Sequence, residues 1–179
     1  MGFGTYSPQE NFVKSFSLFF AVLVLLVGSA SSQVTVNGSY EFSRVYTAGQ
    51  AVNSNPGWNV SLNIPVSNSF GLLSQFAGTD ANIGGGTVAL NTLGEGIQFQ
   101  PFKGHFFRPY ANFTLGDARF SVSSISVNKL EETAGGGVDF FLSKHWAVRA
   151  GLEYLHTSLP YTSSGLNGVR PVAGLTFAF

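Results

Sequence analysis

The chain of 179 residues has a formal net charge of zero, and only 10% of its residues are charged, against about 25% in ordinary soluble domains. The balanced charge excludes the basic surface of a nucleic-acid-binding protein, so no nucleic-acid partner is expected. The absence of cysteine excludes disulfides and thiolate metal sites, and the histidines at 105, 145 and 156 are too far apart to predict a metal site, so no metal or cofactor is expected.

The first 32 residues predict a signal-peptide helix. Lys14 precedes the unbroken apolar run "LFFAVLVLLV" at 18–27, and the small residues "GSASS" follow it. A basic flank, a short apolar run and a small-residue exit are typical of secretory signal peptides. The run is shorter than the ~20 residues that span a membrane as a helix, although an uncleaved anchor is the alternative. We expect a mature, exported chain that begins at Gln33.

From residue 33 onward, apolar and polar residues alternate with a period of two. The segments "VTVNGSYEF" (34–42), "WNVSLNIPV" (58–66) and "VRPVAGLTFAF" (169–179) each place their large apolar residues on one face. Because successive side chains of a strand point to opposite sides, such segments are half-apolar strands. The pattern predicts eight strands, at roughly 34–46, 58–67, 70–79, 87–101, 107–119, 130–141, 146–157 and 168–179.

The connections between these strands alternate in length. Longer loops are predicted at 47–57, 80–86, 120–129 and 158–167, and short turns near 68–69, 102–106 and 142–145. Strands of about ten residues, long outer loops and short periplasmic turns are typical of outer-membrane barrels. Residues 33–179 are therefore predicted to form an all-β, eight-stranded, antiparallel up-and-down transmembrane barrel.

The apolar faces are predicted to contact outer-membrane lipids. Except near loop ends, as at Arg44, they carry no charge in seven of the strands; the exception is 87–101, which, like 70–79, alternates poorly. A lipocalin-like soluble barrel is the main alternative fold, but it predicts an apolar interior and a charged exterior. Aromatic residues at the two rims predict girdles at the membrane surfaces. The outer girdle would contain Tyr46, Trp58 and Tyr154, and the periplasmic girdle Phe70, Trp146, Phe177 and Phe179.

Five charged residues fall on the inward faces. Asp139 and Arg149 are equally far from the turn centred on Lys144, so they should face each other across a hairpin. Glu41, Glu153 and Arg170 should share one level once the last strand pairs with the first. Because buried charges persist only when they are paired, we expect the networks Glu41–Arg170–Glu153 and Asp139–Arg149, as a structural plug rather than an ion path.

The segments "TAGGGVDFFLSKHWAVRAGLEYLHT" (133–157) and "GVRPVAGLTFAF" (168–179), together with "PYANFTLGDARF" (109–120), resemble the small OmpA/OmpX-like outer-membrane barrels. The resemblance implies that Leu175, Phe177 and Phe179 form a sorting signal for the barrel-assembly machinery. It also implies location in the bacterial outer membrane. Because the sequence ends at the barrel, the peptidoglycan-binding domain and cell-wall anchoring of OmpA are not expected here.

These observations predict a non-enzymatic, monomeric protein with a structural role or a role in binding a surface ligand through its extracellular loops. A narrow, porin-like channel for ions or small solutes is one alternative. The other is a lipid A-modifying enzyme that uses His156 and Ser158, which resemble the His-x-Ser placement of outer-membrane deacylases. That resemblance is incomplete, because Leu159 follows the serine and the last strand offers no outward acidic residue to orient the histidine.

Overall fold

The computed structural model describes residues 33–47, 50–83, 86–102, 104, 106–122, 125–157 and 166–179, so the predicted signal peptide lies outside the described residues. No helix among these residues is long and apolar enough to cross a bilayer. The strands are β1 (Thr35–Glu41), β2 (Arg44–Thr47), β3 (Gln50–Asn53), β4 (Gly57–Pro65), β5 (Phe70–Ile83), β6 (Gly86–Phe99), β7 (Phe107–Val122), β8 (Ile125–Phe141), β9 (Trp146–Thr157) and β10 (Leu166–Ala178).

These strands form a closed, eight-stranded, antiparallel barrel, which confirms the predicted fold. Strands β1 and β2 are the lower and upper parts of the first barrel strand, and β4 and β3 are those of the second. From β4 to β10 each strand pairs with the next along the chain, and β10 pairs back onto β1. Closure matters because lipid offers no hydrogen bonds to the groups at an open sheet edge.

The seam of the barrel joins the start of the chain's folded part to its end. The Asn37 side-chain amide donates hydrogen bonds to the Thr176 hydroxyl at 3.1 Å and to the Leu175 carbonyl at 3.0 Å. One residue beyond β10, the Phe179 amide donates to the Val34 carbonyl at 2.9 Å. Backbone and side-chain bonds therefore hold the last residues of the chain against the first strand.

The first hairpin contains a bulge, which divides each of its strands in two. Glu41 pairs with Gly57 and Arg44 pairs with Asn53, so two residues on the first strand oppose the three residues 54–56 on the second. Pro56 lies in the bulge, where its missing N–H leaves no ladder bond unmade. The predicted loop at 47–57 is wrong in consequence, because Thr47 and residues 50–53 continue the hairpin as parts of β2 and β3.

Two further predicted loops are also strands. Strand β5 continues to Ile83 and β6 begins at Gly86, while β7 continues to Val122 and β8 begins at Ile125. The predicted loops at 80–86 and 120–129 are thus strand in all their described residues. The physical reason is that Val, Ile and Phe continue to alternate with smaller or polar residues through these segments. Of the predicted loop at 158–167, residues 158–165 lie outside the described part of the chain.

The two faces of the wall differ in polarity as predicted. Inward residues of β1 and β4 such as Asn37, Asn59 and Asn63 are buried, whereas Tyr40 and Val60 are exposed on the outside. The described interior is therefore polar and the exterior apolar. This arrangement is the opposite of the one expected for a lipocalin-like soluble barrel.

Candidate functional site

The structure brings together the predicted pair in the periplasmic half of the interior. Asp139 and Arg149 are direct partners across the β8–β9 hairpin. The guanidinium donates through Nε to Oδ1 at 2.7 Å and through Nη2 to Oδ2 at 2.9 Å, which is the bidentate geometry of strong charge-assisted pairs. Its Cζ also lies 4.1 Å from the centre of the Tyr110 ring. Both charged side chains are buried, so the pair is shielded from solvent.

Glycines make room for the Tyr110 ring. A Cβ added to Gly137 or to Gly151 would collide with the Tyr110 hydroxyl. Gly135 likewise lies against the Glu153 side chain. Gly135 and Gly137 of β8 therefore relieve crowding beside large inward side chains, whereas Gly136 between them lies against the backbone oxygen of Tyr110.

The predicted second network lies nearer the outer end. Arg170 Nη2 is 2.7 Å from Glu153 Oε2, and Arg170 Nη1 is 3.4 Å from Glu41 Oε2. The Glu153 carboxylate also accepts from Asn112 at 2.9 Å and from Gln75 at 3.3 Å. All five charged residues predicted to face the interior, Glu41, Asp139, Arg149, Glu153 and Arg170, are thus buried in two paired groups.

A sixth charged residue in the interior, Glu131, was not predicted. Its side chain is 5% exposed, its Oε1 accepts a long bond of 3.5 Å from the Thr133 hydroxyl, and its Oε2 has no hydrogen-bond partner. Counting back from Asp139 in steps of two along β8 reaches Glu131, so the alternation contained the signal. The adjacent Glu132, which is exposed on the outside, obscured it.

The interior is filled rather than open around these networks. One cavity lies beside Arg149 and Glu153, and a second lies between Gln75 and Glu131. Each has room for about one water molecule. Polar side chains occupy the remaining space at this level, as expected of an eight-stranded barrel.

The predicted girdle residues lie on the outer surface where their side chains are described. Trp58 packs edge-on against Phe76 at 5.1 Å, and the Tyr154 side chain is half exposed. At the periplasmic end Phe177 lies 4.9 Å from both Trp146 and Phe179. The side chain of Tyr46 lies outside the described part of the chain. The role of Leu175, Phe177 and Phe179 as an assembly signal stays a prediction.

The periplasmic girdle contains more phenylalanines than the sequence analysis assigned to it. Phe70 and Phe99 are in contact at 4.9 Å, and Phe107 contacts Phe140 at 5.7 Å. Phe106 also lies 6.1 Å from Phe140. Several pairs of aromatic rings therefore border the lower rim, and the abundance of phenylalanine in the sequence was the available signal.

One carboxylate lies on the lipid-facing side of the wall. Glu95 is exposed on β6, and its Oε1 accepts a bond of 2.9 Å from the Ser74 hydroxyl of β5. It is four residues from Phe99 at the end of β6. At about 3.4 Å per residue and a strand tilt of about 45°, this places Glu95 about 9 Å above the lower rim, within an apolar band ~25 Å tall. The inward and outward faces of β6 could not be assigned from the sequence, because glycines occupy the inward positions 94 and 96.

The histidine of the enzyme alternative has an ordered partner. His156 Nδ1 lies 2.7 Å from Asn167 Oδ1, and the Tyr154 hydroxyl donates to the same oxygen at 2.7 Å. Glu132 is the cross-strand neighbour of His156 on β8. An orienting group is thus present, although it is an amide rather than a carboxylate of the last strand. Ser158 lies outside the described residues.

Strand β8 continues beyond the last described residue of β9. The register of these strands ends where Glu131 meets Thr157, so residues 125–130 of β8 pair only with β7 among the described residues. Strands β5 to β8 remain paired up to their outer ends, and Val127 and Leu130 are exposed there. We call residues 125–130 the β8 outer edge.

Comparisons with known proteins identify the same architecture. The model of the outer membrane protein beta-barrel domain family matches residues 16–177. No curated protein matches the chain.

Ail, the attachment invasion locus protein of Yersinia pestis, is 19% identical at a TM-score of 0.60, with 84% of this chain and 100% of that one covered. Neisserial surface protein A is 12% identical at 0.71, covering 82% and 97%. The outer membrane enzyme PagL is 16% identical at 0.52, covering 80% and 98%. These identities show the fold alone.

Proposed function

Because the chain belongs to the outer membrane protein beta-barrel domain family and is located in the bacterial outer membrane, we propose that it is a monomeric surface-interaction protein whose outer hairpins bind a ligand. The single observation that carries the proposal is the β8 outer edge, which extends beyond the described part of β9 and is exposed. The proposed binding surface therefore includes the outer end of a β-strand and is not confined to the loops expected from composition.

The edge has a known way to bind a partner. A strand with unpaired N–H and C=O groups can add an extended segment of another protein, and side chains on alternating sides then give specificity. Val127 and Leu130 offer apolar contacts at this place. The name of the Yersinia protein refers to attachment and invasion, which supports an adhesive role for a barrel of this architecture.

The filled interior argues against the channel alternative. The cavities near the networks hold about one water molecule each, and the charged side chains between them are paired across the barrel. A channel would require these side chains to separate. Steady conductance from purified monomers in planar bilayers would support the channel.

Adhesion of cells tests the proposal. Bacteria that display the protein should adhere to an epithelial monolayer better than cells with an empty vector, and Val127→Lys with Leu130→Lys should remove most of the gain, because lysines block addition of a strand. Thr87→Lys is the matched control, because Thr87 is exposed but lies on β6, away from the β8 outer edge. This variant should retain adhesion. Equal adhesion by wild type and empty vector would reject the proposal.

A lipid A-modifying enzyme is the second candidate, and the His156–Asn167 hydrogen bond favours it. An Nδ1–H that donates to Asn167 makes Nε2 the basic nitrogen, as required of a general base that activates a serine. PagL, an outer membrane enzyme, has a similar barrel. Mass spectrometry of lipid A from expressing cells tests this candidate. Loss of an acyl chain that Ser158→Ala abolishes would support it, and unchanged lipid A would reject it.

A further inference from the structure

The charged groups in the outer half of the interior do not balance. Three buried carboxylates, those of Glu41, Glu131 and Glu153, share the guanidinium of Arg170. That guanidinium is in salt-bridge contact with Glu41 and Glu153. Arg149, the other fully buried cation of the described interior, has both its bonds on Asp139. Since a buried carboxylate is costly without a compensating positive charge, this half of the barrel needs another one.

Glu131 is the carboxylate for which no salt bridge is found in the described part of the chain. Among the described residues no cationic side chain lies within salt-bridge distance of it, and its Oε2 is buried without a hydrogen bond. The other two carboxylates have cationic partners, since Glu41 and Glu153 both contact Arg170, and two amides also donate to Glu153. Among these three carboxylates, the buried oxygen without a hydrogen bond is Glu131 Oε2.

Glu131 lines a cavity that is surrounded mostly by polar residues. The other lining residues are Gln75, Thr92, Thr114, Thr133 and Arg170, together with Leu93, Gly94 and Gly116. The three threonines and the glutamine are each at least nine-tenths buried. One carboxylate, three hydroxyls and an amide carbonyl are the oxygen donors that hard cations prefer. The space is about that of one water molecule, which is also the space that a small, dehydrated ion needs.

We propose that this cavity binds a single monovalent alkali cation, Na⁺ or K⁺, with Glu131 as its charged ligand. A divalent ion fits less well for two reasons. The described residues contain no group of three or more acidic, histidine or cysteine side chains that could hold a metal. In addition, the Arg170 guanidinium in the same lining repels a doubly charged ion twice as strongly as a singly charged one. The cation supplies one of the two positive charges by which the three carboxylates exceed Arg170.

Thermal unfolding of the protein purified from outer membranes tests the proposal. The midpoint should be higher in NaCl or KCl than in tetramethylammonium chloride at equal ionic strength, because the organic cation is too large for the cavity. It should also rise by a few degrees for each tenfold increase in the alkali salt, as expected for a ligand that binds only the folded state. Equal midpoints in all three salts would overturn the proposal and indicate that Glu131 is neutralised by a proton.

Two variants locate the effect. Glu131→Gln should abolish the difference between the salts, whereas Glu132→Gln, the adjacent residue exposed on the outside, should retain it. A full salt difference in folded Glu131→Gln would overturn the assignment to this cavity. If that variant does not fold, Thr133→Val removes a neutral ligand and should shift the sodium dependence to higher concentration, with ²³Na line broadening by the wild type as the direct measure. A sodium signal that the protein leaves unbroadened would count against the site.

Discussion

Glu153 and Glu95 are the same residue type on opposite sides of one barrel wall, and they differ in the number of hydrogen-bond donors around the carboxylate. Glu153 is buried inside, where Arg170, Asn112 and Gln75 all donate to it. Glu95 faces the lipid, where the described bonds to its carboxylate come from one hydroxyl, that of Ser74. The inside of the barrel therefore behaves as a polar solvent built from side chains, while the outside offers a carboxylate little compensation.

Loss of the Arg170 guanidinium, which the inner carboxylates share, should have the largest effect on stability. Arg170→Met leaves Glu41 and Glu153 buried without their cation, so the free energy of unfolding should fall by about 3–5 kcal/mol. Urea unfolding followed by heat-modifiable gel mobility measures the loss. Arg119→Met, an exposed arginine of β7, is the control and should change stability little. A loss no larger than that of the control would show that the inner network is dispensable.

The packing beneath this network should be nearly as sensitive. Gly137→Ala places a methyl group against the Tyr110 hydroxyl and the β9 backbone, so it should cost about 1–3 kcal/mol. Gly38→Ala is matched, because no atom lies within 4 Å of the added methyl on β1. The two variants differ only in where the methyl group points. Equal unfolding midpoints would contradict the view that glycine is required at 137.

The outer carboxylate should respond in the opposite direction. Glu95→Leu removes a charge from the apolar band, so it should raise the free energy of unfolding in lipid vesicles by about 1 kcal/mol. Glu132→Leu, at the level of the rim residue His156, should change it less, because a carboxylate costs little near the interface. Destabilisation by Glu95→Leu would instead indicate that the Ser74 pair contributes to folding.

The pair of Glu95 and Ser74 gives the smallest expected effect. Ser74→Ala removes one hydrogen bond, which contributes about 1 kcal/mol or less at an exposed place. In the Glu95→Leu background the same serine substitution should have no measurable effect. The double-mutant cycle, measured by urea unfolding in vesicles, gives the coupling between the two side chains. A coupling of zero would mean that the carboxylate has no effective partner in the wall.

The interior network was predictable from sequence because it depends on two simple rules. Strand residues alternate sides, and equal distances from a turn make cross-strand neighbours, which is how Asp139 and Arg149 were matched. The orientation of Glu95 was not predictable, since Gly94 and Gly96 give its strand no contrast between faces. The same rules could have assigned Glu131 to the interior, but two adjacent glutamates made the phase of that strand ambiguous at its outer end.

The outer rim was less predictable than the barrel for a different reason. Composition alone marks Gly-Gly and Ser-Ser as loop residues, but it does not show that the alternation of Val, Ile and Phe continues on both sides of them. The bulge opposite Ser43 likewise depends on a pairing register, which no local pattern reveals. Partners of the histidine, such as Asn167, come from a strand whose register is also set by the closed barrel.

The seam between β1 and β10 has a consequence for biogenesis. The residues whose hydrogen bonds close the barrel are far apart in the sequence, as are Asn37 and Thr176. Contacts between such distant residues are slow to form, and here they cannot form until β10 has been synthesised. Until then the sheet has two strand edges with unpaired backbone groups, which are prone to aggregation. Pairing of β10 with β1 removes both edges in a single step.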